Sequence, residues 1–143
     1  MVVLVRQYRQ KFGTLTRDKI KKINSYKFEN PSFAVMMQPS YVKYKFSLNV
    51  PFNFASKYLK TKGSFTLENT KGDAWQVSCV GKTERTRKIQ VGWKKFALDN
   101  KLQVGDICVF EMVNHANCLF KVEIIRCSSC VRVQDWSNID DDQ

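Results

Sequence analysis

From Asn30 onward, short apolar segments recur at close spacing, and each is stopped by a turn signal. That rhythm constrains the fold more than any other feature, because it is the signature of an antiparallel β-domain. Phe33-Ala34-Val35-Met36-Met37 reads as a strand stopped by Pro39-Ser40, and Phe46-Ser47-Leu48-Asn49-Val50 as a second. Gly63 opens a third, in which Phe65 and Leu67 alternate with Ser64, Thr66 and Glu68. After the turn Lys71-Gly72-Asp73, the residues Trp75, Val77 and Cys79 alternate with Gln76 and Ser78, as in a half-buried strand. Lys88–Val91, Ile107–Met112 and the alternating Phe120, Val122 and Ile124 bring the expected count to seven.

Two segments carry helical spacing instead. Pro51 suits a first helical turn, with Phe54 and Tyr58 on one face; Trp93, Phe96 and Ala97 repeat the pattern before Asp99-Asn100. Seven strands and two short helices in so small a domain leave few places for open sheet edges, and a closed or nearly closed barrel removes them. The expected fold class is therefore mainly β, a seven-stranded open barrel. Residues 1–29 read as a basic extension or linker, 30–127 as the domain, and 128–143 as a solvated tail ending in Asp140-Asp141-Asp142.

Charge narrows the function. The formal net charge is +11, and it is unevenly placed: residues 1–95 hold 20 Lys+Arg against 5 Asp+Glu, whereas residues 96–143 hold 4 against 8. A positive face for a polyanionic partner follows. No apolar run approaches the roughly 20 residues that span a bilayer, so no membrane role is expected. Met1 to Val5 is too short for the apolar core of a signal peptide. The five cysteines are odd in number and three lie inside apolar runs, which suggests reduced thiols in a cytosolic or nuclear protein.

The order of motifs adds a resemblance. Pro39-Ser40-Tyr41 follows a strand, and Leu48-Asn49-Val50-Pro51 leads into Phe54-Ala55-Ser56-Lys57-Tyr58-Leu59. Then come Trp75-Gln76-Val77, Gly92-Trp93-Lys94-Lys95-Phe96 and the run Asn100-Lys101-Leu102-Gln103-Val104-Gly105-Asp106-Ile107-Cys108-Val109-Phe110-Glu111. Each piece alone is weak, but the ordered set is specific, and over about residues 30–126 it resembles the plant-specific B3 DNA-binding domain. The nearest branch is the reproductive-meristem group, which includes the vernalization-type proteins. The resemblance implies a seven-stranded open barrel with two short helices, in agreement with the independent count. It also implies a nuclear regulator of transcription or chromatin whose partner is double-stranded DNA. Two loops would clasp the major groove: here about Gln38 to Lys45 and about Gly81 to Lys88.

The loop chemistry fits that role. In the first, Lys43 and Lys45 share parity and would point the same way from an extended chain. Ser40 and Tyr41 can bond phosphate oxygens, and Gln38 can reach a base edge. The bland alternative is a polar hairpin with Tyr41 or Tyr44 packed on the core. The second loop sets Lys82, Arg85, Arg87 and Lys88, with Thr83 and Thr86, against one acid, Glu84. Arginine forks hold phosphate, or the O6/N7 edge of guanine, bidentately. Sequence-specific members of the resembled family carry Trp, Asn and Ser in this loop. The Lys, Thr and Arg found here favour phosphate contact and weak sequence preference.

Other functions find less. His115-x-x-Cys118 and Cys127-x-x-Cys130 have finger-like spacing, but Cys118 and Cys127 bracket a strand that would hold them about 25 Å apart. A redox role for Cys127-x-x-Cys130 lacks the strand-to-helix setting of such motifs. With one histidine, no Gly-rich phosphate loop and no nucleophile elbow, neither an enzyme nor a small-molecule substrate nor any cofactor is expected. RNA or single-strand binding stays open as an alternative, although Phe65, Trp75 and Phe120 fall at inward parity rather than forming a stacking platform. A protein-interaction domain for an acidic partner is the third reading.

Overall fold

The computed structural model describes residues 2–4, 17–25, 29–59, 63–81, 83 and 87–127. Its strands are β1 (Val2–Leu4), β2 (Ser32–Met36), β3 (Leu48–Asn49), β4 (Ser64–Glu68), β5 (Ala74–Val80), β6 (Lys88–Ile89), β7 (Ile107–Asn114) and β8 (Leu119–Ile125). They form one sheet in the order β1-β2-β7-β8-β4-β5-β6-β3. Pairing is antiparallel except at β1–β2 and β4–β8, which are parallel. The seven strands expected after Asn30 are all present, as are the helices α3 (Phe52–Tyr58) and α4 (Trp93–Asp99).

Three elements lie outside the seven strands and two helices counted above. Val2–Leu4, placed in an extension or linker, is an eighth strand that pairs with Ser32–Ala34. Arg17–Ser25 forms α1, with Asp18 in its first turn and Lys22 in its last, each sign suited to the helix dipole. Its Ile23 is buried in the core cluster. Pro39–Val42 forms α2, a single helical turn inside the first loop, begun by a proline whose missing N–H costs nothing there.

Alternation decides which side chains fill the barrel. Phe65 and Leu67 of β4, Val77 and Cys79 of β5, Leu48 of β3 and Ile89 of β6 are buried, while Ser64, Gln76, Val80, Asn49 and Lys88 face solvent. Phe33 stacks on Phe110 with ring centroids 4.6 Å apart, and Phe120 meets Phe65 edge-on at 5.4 Å. Trp93, fully buried, stacks on Phe96 at 5.2 Å and meets Phe110 at 6.3 Å. Trp75 is only half-buried; its ring meets Phe96 edge-on while its indole N–H donates to Asp99 Oδ2 at 2.8 Å.

The cysteines divide. Cys79, Cys108 and Cys118 are free thiols, whereas Cys127 is disulfide-bonded, contrary to the expectation of reduced thiols throughout. The other half of that bond lies outside the described residues, and so does the expected acidic tail.

Candidate nucleic-acid interface

Both basic segments join the same small ladder. Leu48 lies opposite Ile89, and Asn49 opposite Lys88, in the antiparallel β3–β6 pair. The first loop enters β3 through Phe46–Ser47, beside Gln90, whose side-chain amide donates to Ser47 Oγ at 3.2 Å. The second enters β6 through Arg87, whose carbonyl accepts from the Val50 N–H at 3.0 Å. The loops are thus rooted at the two ends of one ladder rather than side by side. From Ser47 to Val50 the extended chain covers about 10 Å.

The first loop is folded tightly. The Tyr41 N–H donates to the Gln38 carbonyl at 2.8 Å, Lys43 and Tyr44 both donate to the Pro39 carbonyl, and Ser47 closes the base by donating to the Ser40 carbonyl at 3.2 Å. Gln38 precedes the turn in an extended conformation and makes no side-chain cap bond. Lys45 and Phe46 then take positive φ, 69° and 47°. This overturns the parity argument for Lys43 and Lys45, which needs an extended chain: Lys43 caps the helical turn and Lys45 lies in left-handed backbone.

Exposure sorts the first-loop candidates. Lys45 is exposed, and Gln38, Ser40 and Lys43 are half-buried. Tyr41 is 1% exposed, with its backbone carbonyl accepting from the Trp93 indole N–H, so the phosphate contact expected of it gives way to a place in the core. It belongs to the core because the helical turn directs it beneath the loop. Its neighbour Tyr44 is 58% exposed. The Lys94 ammonium lies over the Phe46 ring at 5.3 Å and ties α4 to the loop's exit.

In the second segment Thr83 is exposed, while Lys82, Arg85 and Thr86 lie outside the described residues. Lys88 is exposed on the outer face of β6, between Val80 and Asn49. Arg87, half-buried, takes the inward parity of Ile89, and its guanidinium lies beside the Cys79 thiol. Burial raises the Cys79 pKa, and the Arg87 charge and hydrogen bond pull part of that rise back. Asn49, absent from the two loops, is a further candidate, and its place between buried Leu48 and Val50 marks it as outward.

Of the metal candidates, Cys130 lies outside the described residues. Cys118 and Cys127 flank β8, and a disulfide sulfur is not a thiolate ligand. Among the described residues no group of three His, Cys, Asp or Glu could hold a metal ion. No helix there is long and apolar enough to cross a membrane.

Comparison with known proteins shows the family and the fold. A family model described as the B3 DNA binding domain matches residues 33–128. The chain is 35% identical over 102 residues to the B3 domain-containing transcription factor VRN1 of Arabidopsis thaliana, covering 71% of this chain and 30% of that protein. It is 36% identical over 109 residues to the B3 domain-containing protein Os11g0197600 of Oryza sativa subsp. japonica, covering 75% of this chain and 26% of that one. The chain thus spans under a third of each of these relatives. Among solved structures, the hypothetical Arabidopsis thaliana protein At1g16640.1 superposes with a TM-score of 0.55 at 23% identity, over 69% of this chain and 93% of that one. The protein of the Arabidopsis FUS3–DNA complex also gives 0.55, at 17% identity, over 67% and 97%. At these identities the structural matches speak for the fold.

Proposed function

Because the chain belongs to the B3 DNA-binding domain family, we propose that its two basic loops grip double-stranded DNA in the major groove. One observation carries this reading: the β3–β6 ladder, with Asn49 and Lys88 on its solvent face, receives a basic segment at each end. The roughly 10 Å between the loop roots is comparable with the width of the major groove, about 12 Å. Lysines and arginines at both ends of such a span meet phosphates on both of its walls. Lys43, Lys45, Lys82, Arg85, Arg87 and Lys88 supply the charge, Arg87 from the half-buried root of its loop beside Cys79, with Gln38, Ser40, Thr83 and Thr86 as neutral hydrogen-bonding partners. Phosphate contacts outnumber base contacts in this set, so sequence preference is weak. The core of the domain runs from about residue 30 to 127, with β1 paired to β2 and Ile23 of α1 buried against it, and the protein acts in the nucleus as a regulator of transcription or chromatin.

Single-strand or RNA recognition has less support. It uses aromatics exposed on a sheet face, and here Phe65 and Phe120 are buried and the Trp75 N–H is engaged by Asp99.

Titrating a labelled duplex with the protein at several salt concentrations tests the proposal. With six phosphates neutralised, log K falls against log salt with a slope of about −5, and each Lys or Arg replaced by Ala makes that slope shallower by about 0.9. A folded K43A/K45A/R87A/K88A variant that binds duplex DNA like the parent rejects it.

A further inference from the structure

Resting on the DNA-binding reading above, we propose that Tyr44 is itself a DNA-contact residue. Its ring packs on a deoxyribose, and its phenolic O–H donates to a phosphate oxygen beside those that Lys43 and Lys45 neutralise.

The loop presents this side chain outward. Tyr41, three residues earlier, is buried and held through its carbonyl by Trp93. Phe46, two residues later, packs against the core beneath Lys94. Between these anchors the backbone is fixed by the Lys43 and Tyr44 N–H groups on the Pro39 carbonyl and by Ser47 on Ser40. Lys45 and Phe46 hold left-handed conformations that side-chain-bearing residues adopt only when their surroundings insist. Tyr44 is left 58% exposed on a braced loop tip, flanked in sequence by two cations. A single exposed tyrosine on an ordinary surface calls for no explanation. This one combines a flat apolar face and a hydroxyl with little rotamer freedom to lose, which suits the sugar–phosphate edge of a duplex.

Anisotropy titrations of a mixed-sequence duplex with Y44F, Y44A and R87A/K88A, beside unfolding curves for each, test it. Y44F removes only the hydroxyl and is expected to weaken binding about fivefold. Y44A also removes the ring and is expected to weaken it about thirtyfold. In both the salt slope stays that of the parent, because no charge is lost. If Y44A binds like the parent while R87A/K88A binds more weakly, Tyr44 is not a contact and this inference falls alone. If none of the three variants binds more weakly, the DNA-binding reading falls and takes this one with it. Should Y44A also unfold more readily, Y44F decides: a fivefold loss upholds the contact, and parental affinity overturns it.

Discussion

The indole N–H of Trp93 donates to the backbone carbonyl of Tyr41 across 2.8 Å in the buried interior. Through this bond α4, which lies against the barrel, holds the helical turn that begins the first basic loop. Replacing Trp93 with Phe removes the bond and leaves a small void, a loss of about 2–4 kcal/mol. Urea unfolding measures it. A loss below half a kilocalorie would mean that other contacts fix the loop.

Gly92 enters α4 with φ 86°, and a Cβ built there would collide with the carbonyl oxygen of Gln76. Neither atom can yield, because the obstacle is backbone of β5. Gly92→Ala therefore adds left-handed strain to a steric clash and destabilises by more than about 2 kcal/mol. Thermal unfolding of this single variant checks the value, and a midpoint equal to the parent's contradicts it.

Much of this fold is legible in the chain because a two-residue period leaves little freedom. Phe65 and Leu67 against Thr66, or Leu48 and Val50 against Asn49, fix both the strand and its buried side. What escapes is short or set from a distance. Val2–Leu4 has no alternation, and its partner, β2, lies some thirty residues on. Pro39 reads as a strand stop and is also the start of a helical turn. Nothing in Tyr41-Val42-Lys43-Tyr44 says which tyrosine goes inside; the chain leaves the helix at Lys43, so Tyr44 does not inherit the buried side of Tyr41. Arg87 is the opposite case. Counting back two from Ile89 gives it the inward parity, and the sheet register then sets it beside Cys79.

Cys108 sits fully buried in β7, where desolvation, reinforced by the nearby Asp106 charge, pushes its thiol pKa far up. An unfolded thiol ionises near pH 8.5. The folded-state value is raised, so the contribution to stability is complete below that pH and is lost as pH rises above it. Unfolding midpoints between neutral and alkaline pH are expected to fall less steeply for Cys108→Ala than for the parent. Equal slopes would show that the thiol is not held neutral.

Asp99 carries the opposite sign. The Trp75 indole N–H, and then Lys95 at 3.1 Å, hold its carboxyl below the usual range. That contribution is present above the ordinary carboxylate pKa and fades as pH falls through the lowered one. Asp99→Asn is therefore expected to lose stability at neutral pH and to show a flatter acid limb, read by thermal midpoints from neutral pH downward. An acid limb as steep as the parent's would remove Asp99 from the account.

Asp106 closes the barrel from within. Its buried carboxylate accepts the Cys127 N–H at 2.7 Å and the Gln103 N–H at 2.9 Å, and Arg126 approaches at 3.4 Å. Its own carbonyl accepts from Met37, next to the root of the first loop. Arg126 also donates to the carbonyls of Asn100 and Lys101 just past α4, but its side chain is 45% exposed. The two partners should then differ. Asp106→Ala strands two buried N–H donors and costs about 3–5 kcal/mol. Arg126→Ala leaves both N–H bonds standing, and water replaces the half-exposed guanidinium, at a cost of about 1 kcal/mol. Asp106→Asn keeps the shape but sets an amide N–H₂ against an N–H donor, so it falls between them. Chemical denaturation of the three variants ranks them; if Arg126→Ala costs as much as Asp106→Ala, the ion pair and not the backbone bonds holds this corner together.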